Sequence, residues 1–390
     1  MLRLKMYPCK NGDAFLIDAS GSLILIDAGY ASTFNEYIAP DLTRLSQTGG
    51  QLDLLICTHI DADHIGGVIE FISSNGTSGA RSIVEINEVW HNSLRSLPAS
   101  HSPSGSASDH QVLEAIQRRG FLLPQGFEPA ANPISAKQGS SLARLLKQYG
   151  YLWNSGDGTT CMTAKQVPHV LSSGAQILLI GPTVPRLEEL RAWWIHEMRK
   201  LSYKGAGQLC ELAEDAYEML CASTRQSAPA VAKTISASCV RSLEEAFVAD
   251  TSPTNGSSIA VIVRVGGKKA LFLGDAWAAD VVEQVKQHQS GTDPVMFDAV
   301  KVSHHGSLHN TNVELLALID APVYLISSDG SRHGHPDFEV LAEIVDRPAN
   351  FERKIYFNYE TPTSTRLRAH VSRSGAKFSV DVVQNDWIHI

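Results

Sequence analysis

Short apolar runs broken by glycine, serine and charged residues recur along the chain, and their lengths predict strands. GDAFLIDA and LILIDAG flank the small polar turn Ser20-Gly21-Ser22, which predicts a β-hairpin within the first thirty residues. The pattern returns near residue 259, where SIAVIVRV and KKALFLGDA flank Gly266-Gly267. Beside each hairpin another apolar strand runs straight into a histidine-bearing loop, LDLLICTH at 52–59 and DAVKVSHH at 298–305. The two halves thus read as a weak internal duplication with histidines at the strand ends.

Between them the period changes. ASHSPSGSASDH at 99–110 predicts an exposed loop. From Val184 to about Ser223 apolar residues fall three or four apart (Leu187, Leu190, Trp194, Met198, Leu201), which predicts helix. Residues at about 96–250 are expected to be a helical insertion in a single domain spanning 1–390. After the second histidine loop, Thr311 and Glu314 have the spacing of a capping box, opening a helix through Leu318. PVYLIS predicts a strand, FEVLAEIV a helix, and KIYFNY and KFSVDVV two further strands. Strands alternating with helices, together with hairpins, indicate a layered α/β protein with mixed sheets.

Composition narrows the class of protein. The 390 residues are 43% hydrophobic and 19% charged, enough for a full core and unlike a disordered, collagenous or coiled-coil chain. No apolar run reaches the roughly 18 residues of a membrane span, and MLRLKMYPCKNGDAF lacks an apolar signal core, so a cytoplasmic protein without a membrane partner is expected. A net charge of −8 leaves any phosphodiester to a local basic or metal-lined cleft. The six cysteines, Cys239 among them, are scattered without a CxxC pair, so neither a zinc finger nor a disulfide framework is expected.

The richest chemistry lies in Thr58-His59-Ile60-Asp61-Ala62-Asp63-His64-Ile65-Gly66-Gly67, with four ligand-type side chains inside six positions. A strand end followed by a helix start aims His59 and Asp61 at one metal and Asp63 and His64 at its neighbour. Carboxylates with imidazoles suit Zn²⁺, Mn²⁺ or Fe²⁺. The plainer alternative is a polar loop whose aspartates cap the next helix. Asp275 closes the strand ALFLGD, and Ser303-His304-His305-Gly306-Ser307 closes another. Lys301 is placed either to contact a phosphate or to pair with Asp298. Packing is the expected role of Trp90 and of Trp193-Trp194, and a surface position that of His309 and His333. No GxSxG elbow and no phosphate-binding glycine loop is present.

THxDxDHxGG, the LFLGDA strand end and KVSHHGS resemble the successive motifs of the metallo-β-lactamase-fold hydrolases. They are most similar to the hydrolase domain of the ComEC/Rec2 DNA-uptake proteins and its soluble stand-alone relatives. The resemblance covers about residues 12–95 and 255–345. It implies an αββα sandwich, two mixed β-sheets flanked by helices, with two divalent ions, zinc or manganese, at one edge. His59 and Asp61 would hold the first ion, Asp63 and His64 the second, and Asp275 would bridge them. One of His304 and His305 would complete the second site, because neighbouring side chains on an extended strand point oppositely. Asp27 would orient a ligand from behind. Asn255 stands where the pattern usually has a histidine. Asp61 replaces another histidine, which hardens the first site toward manganese. Ser307 and the His335 of Gly334-His335-Pro336 would lie near the substrate.

These expectations point to a metal-dependent phosphodiesterase or nuclease acting through a metal-bound hydroxide, with Asp63 and the His304/His305 loop in the catalytic roles. Two other readings stand beside it. The same fold serves small esters, lactones and thioesters, and residues 96–250 are a candidate docking surface for a protein partner in a larger bacterial complex.

Overall fold

The computed structural model describes residues 1–98, 107–120, 140–165, 167–205, 209–223, 241–289, 291–332 and 334–390. His333, Cys239 and most of the serine-rich loop expected at 99–110 lie outside the described residues. The last part of that stretch belongs to a helix, Ala107–Arg119, in which Asp109 is buried.

Among the described residues sixteen strands follow in chain order. They are β1 (Leu2–Met6), β2 (Phe15–Ala19), β3 (Ser22–Ile26), β4 (Leu54–Ile56), β5 (Val89–Trp90), β6 (His169–Val170), β7 (Gln176–Gly181) and β8 (Ala260–Val265). The second half adds β9 (Lys268–Phe272), β10 (Val295–Met296), β11 (Ala299–Lys301), β12 (Ile319–Asp320), β13 (Val323–Ile326), β14 (Arg353–Phe357), β15 (Phe378–Val382) and β16 (Trp387–His389). With helices between them, they make a mixed α/β architecture of sheets flanked by helices, consistent with the metallo-β-lactamase fold. No helix among the described residues is long and apolar enough to cross a membrane.

The chain forms two compact units. One comprises Met1–Ser22, Ala164–Pro182 and Arg225–Ile390. Its main sheet has eight strands in the order β15-β14-β13-β11-β9-β8-β7-β6. From β9 to β15 neighbours are parallel, whereas β9, β8, β7 and β6 pair antiparallel. Parallel neighbours need crossover connections. The helices Ala278–Lys286, Val313–Leu318, Phe338–Asp346 and Pro362–Arg368 lie between successive parallel strands. Leu178, Ile262, Leu271, Val300, Tyr324 and Ile355 from six strands share one apolar core with Val281 and Leu341 from two of those helices. The hairpin β8–β9 turns at Gly266-Gly267, both at positive φ, a conformation that glycine adopts without steric cost. In the same unit β1 pairs antiparallel with both β2 and β16.

The other unit comprises Leu23–Thr163 and Thr183–Thr224. Here β3, β4 and β5 pair in parallel, and helices cover Ala39–Gln47, Ala62–Asn75, Leu142–Tyr149, Val184–Lys200 and Glu211–Ser223. The helical spacing from Val184 is realised, with Leu187, Leu190, Trp194 and Met198 all buried. Trp194 is fully covered and meets Tyr217 edge-on, as expected of a packing residue.

Two local expectations change. The stretch at 96–250 is not helical throughout, since the apolar run of Gln176–Gly181 supplies β7 to the eight-stranded sheet by pairing with β8. The predicted capping box does not form. The N-cap of Val313–Leu318 is Asn312, whose Oδ1 accepts from Leu315 N at 2.8 Å, and Glu314 pairs with Lys286 instead. An amide oxygen one residue later reaches the third helical N–H, which leaves Thr311 outside the cap.

Candidate functional site

In the second unit, β3 and β4 are parallel neighbours, so the residues after them emerge at the same sheet edge. Asp27 follows β3, while Thr58 and His59 follow β4. Asp27 Oδ1 accepts from Thr58 N at 2.8 Å and its Oδ2 from Thr58 Oγ1 at 2.7 Å. His64 Nδ1 lies 2.8 Å from the same Oδ2. A carboxylate only accepts here, so this nitrogen carries the proton and Nε2 keeps its lone pair. His59 Nδ1 lies 3.0 Å from Thr58 Oγ1, whose own proton goes to Asp27, so His59 is anchored through the same nitrogen. The His59 and His64 rings stand 4.1 Å apart, and His59 Nε2 is 3.8 Å from Asp61 Oδ2.

Asp61 is the N-cap of the helix Ala62–Asn75, although no side-chain cap hydrogen bond forms, and Asp63 lies in its first turn. The helix comes close to the Asp27 loop because of Gly67, whose N donates to Gly29 O at 2.7 Å. A Cβ at Gly67 would fall 2.0 Å from Ala28 O.

The first unit builds a matching cluster by the same logic. β9, β11 and β13 are adjacent and parallel, and the turns after them carry Asp275, His304-His305 and Ser327. His304 and His305 are not extended but take left-handed backbone conformations, at φ 45° and 56°. Alternation along a strand therefore does not apply, and both rings turn to the same carboxylate. Their Nε2 atoms lie 3.6 Å and 3.7 Å from Asp275 Oδ2. Each ring is held through Nδ1, His304 by Asn310 Oδ1 at 2.7 Å and His305 by Ser327 O at 2.9 Å. Asn310 Nδ2 donates to Asp250 and to the Asp275 carbonyl, which fixes its oxygen as the acceptor toward His304.

The remaining predicted residues sort differently. Lys301 does not pair with Asp298, which binds Lys268 Nζ and Lys269 N. Lys301 is buried, forms an ion pair with Asp13, donates to Gly274 O at 2.9 Å and stands 3.8 Å from Asp275 Oδ1. Such burial removes it as a cation for an incoming phosphate. Asn255 lies beside His304, its Nδ2 donating to Asp250 Oδ2 at 2.7 Å, while its buried Oδ1 makes no hydrogen bond. Ser307 is buried inside the turn, its Oγ accepting from His309 N. His335 packs its ring 5.2 Å from that of His304 and bonds to Asp337 Oδ2 at 3.0 Å. Burial pushes the His335 pKa down to about 4 against the pull of Asp337, so the ring is neutral at pH 7. His91, which follows Trp90, is buried with Nε2 2.9 Å from Glu218 Oε1.

Asp13, Asn310 and Ser327 were not singled out by the sequence, yet they anchor Lys301, His304 and His305. Gly12-Asp13 opening the first apolar strand was the only available signal for any of the three.

Imidazole nitrogen and carboxylate oxygen bind divalent ions at about 2.0–2.2 Å, so two donors of a tetrahedral shell stand roughly 3.3–3.6 Å apart. Of the spacings at Asp275, 3.6 Å lies at the upper edge of that interval and 3.7 Å just beyond it. Anchored Nδ1 atoms with Nε2 presented are a usual arrangement of metal-binding histidines. The residues present fit a divalent cation.

Residues 7–133 match the family model described as the metallo-β-lactamase superfamily. No curated protein matches the chain. Among solved structures, the metallo-β-lactamase fold protein YhfI from Bacillus subtilis is similar at 8% identity and TM-score 0.39, covering 100% of both chains. CmlA, a diiron β-hydroxylase from Streptomyces venezuelae, is similar at 10% identity and TM-score 0.37. That match covers all of this chain and 54% of CmlA, so the chain spans about half its length. Zn²⁺-bound PqqB from Methylobacterium extorquens matches at 9% identity and TM-score 0.33, over 97% of this chain and 87% of that one.

Proposed function

We propose that the chain, which carries a metallo-β-lactamase superfamily domain, is a divalent-metal-dependent hydrolase whose substrate is a phosphodiester, a nucleic acid strand in the first instance. The supporting observation is that four histidines, His59, His64, His304 and His305, are all anchored through Nδ1. His59, Asp61, Asp63, His64, Asp275, His304 and His305 are the proposed ligands. Zinc or manganese bound there would supply Lewis acidity and bring the pKa of a water toward neutrality.

The protein's own groups do the rest. Asp27 holds the His64 proton on Nδ1, and Ser327 O does the same for His305. His304 has the most exposed side chain of the four, at 22%, and is the ring we assign to contact a substrate's leaving group. Lys301, neutralised by Asp13, fixes the turn at Gly274 that carries Asp275.

The phosphodiester assignment rests on the ComEC-like motif set. A small-ester or thioester substrate is the second reading, favoured by the net charge of −8 and by the withdrawal of Lys301 into its ion pair. Metal analysis of protein purified without chelator tests the first part. It should be followed by assays with added Mn²⁺ or Zn²⁺ on single- and double-stranded DNA, RNA, bis-p-nitrophenyl phosphate and a thioester panel. Metal-dependent cleavage of the phosphodiesters alone is the expected result. Turnover of the thioesters alone would select the second reading. A protein that neither retains cations nor gains melting temperature from them would be a scaffold rather than an enzyme.

A further inference from the structure

The eight-stranded sheet of the first unit has a second polar end, remote from Asp275. On the face that carries Leu178, Ile262 and Leu271 in register across β7, β8 and β9, the apolar rows stop abruptly. The next same-face row is Gln176, Arg264 and Lys269, with Arg264 the direct partner of both neighbours. Two cations placed opposite each other in an antiparallel pair are destabilising. Asp298 does not relieve them, because its carboxylate is engaged by Lys268 Nζ and Lys269 N. Among the described residues no carboxylate forms an ion pair with Arg264 or with Lys269 Nζ, and the buried Arg264 Nε makes no hydrogen bond.

These cations border a cavity of about 530 Å³, lined by Ile262, Arg264, Lys269, His288, Val295 and Phe297 among others. Val295 and Phe297 are buried, and Lys269 Nζ lies 5.6 Å from the centre of the Phe297 ring. One side of the cavity is therefore apolar and aromatic, and the other is cationic. His288 faces the same charges: burial first, then Arg264 and Lys269, lowers its pKa. A cavity of this size suits a small molecule. Lys268, Lys269 and Arg264 against Asp298 leave a local excess of two positive charges.

We infer that this cavity is a binding site for a small organic phosphate monoester, its dianionic phosphate between Arg264 and Lys269 and its apolar body against Phe297 and Ile262. A guanidinium fork matches phosphate oxygens in two-point contact, and a monoester carries about −1.5 to −2 charges at pH 7. The site is separate from Asp275. Lys269 is the second residue of β9 and Asp275 lies beyond its far end, with three steps of about 3.3 Å, roughly 10 Å, between Lys269 and Phe272 alone.

Phenyl phosphate is the probe, titrated into the whole protein by calorimetry and by proton NMR of the His288 ring, assigned with a His288→Gln variant. One equivalent is expected to bind, to shift the His288 resonances and to bind at least tenfold more weakly to Arg264→Gln and to Lys269→Gln. Inorganic phosphate should bind more weakly than phenyl phosphate, and phenol not at all. Absence of saturable binding, wild-type affinity in both variants, or an unshifted His288 would overturn the assignment. So would equal affinity for inorganic phosphate, since the apolar wall would then play no part. Arg264-dependent capture of duplex DNA or anionic vesicles without phenyl phosphate binding would assign the patch to a macromolecule and overturn it equally.

Discussion

His64 Nδ1 and Asp27 Oδ2 stand 2.8 Å apart with both side chains fully buried. Thr58 donates twice to the same carboxylate, so one acid at the end of β3 sets the histidine of the helix start and the strand end before it. Asp27→Asn is expected to keep the fold but to lower metal affinity about 10–100-fold, the usual effect of losing an orienting partner. Chelator competition reads the affinity and far-UV circular dichroism checks the fold; unchanged affinity would remove Asp27 from the site.

The convergence of His304 and His305 on Asp275 makes a stoichiometry prediction. Asp275→Ala and Asp63→Ala should each lower the cations bound per chain and abolish metal-dependent hydrolysis, while the metal-free proteins melt as the wild type does. Elemental analysis beside calorimetric melting decides the matter. Full activity in both variants would sink the ligand assignment.

Gly67 permits the helix Ala62–Asn75 to touch the Ala28 carbonyl. Gly67→Ala forces that backbone apart, with an expected loss of about 1–3 kcal/mol or more and displacement of His64 from Asp27. Urea unfolding gives the first number and metal titration the second. A stable variant with intact affinity would mean that the loop yields freely.

Lys301 and Asp13 form a buried ion pair. Lys301→Met alone leaves a buried carboxylate and is expected to cost about 3–5 kcal/mol. Adding Asp13→Asn to that variant should restore much of the loss, because the second charge is removed as well. A double-mutant cycle by denaturant unfolding measures the coupling, and simple additivity would show that the contact contributes nothing.

Burial pushes the Asp320 carboxyl up, but the Arg353 hydrogen bond and the charges of Arg347 and Arg353 outweigh it, and the net shift is downward. A folded-state pKa below the unfolded value of about 3.9 contributes stability at neutral pH that disappears as pH falls through the folded value. The wild type should therefore lose stability on acidification below about pH 4 more steeply than Asp320→Asn does. Melting temperatures from pH 7 to pH 2.5 test the difference in slope.

The chain's apolar periodicity sufficed to announce β2, β3, β8, β9, β11, β13 and the helix from Val184, because each is a run whose burial follows from its own composition. The ligand-type residues were legible for the same reason, since aspartates and histidines ending apolar strands have few structural roles. Their relations were another matter. That His304 and His305 both turn to Asp275 depends on two left-handed residues in a row, which no strand rule anticipates. That Lys301 answers to Asp13 rather than Asp298 depends on a pairing 288 positions apart in the chain. Asp13, Asn310 and Ser327 went unnoticed because an isolated polar residue acquires its partner only when distant segments are brought to the same sheet edge. Local sequence determines which segments can be strands and which side chains can bind a cation. Tertiary structure alone decides which hydrogen-bond acceptor each imidazole meets, and with it which nitrogen is left to act.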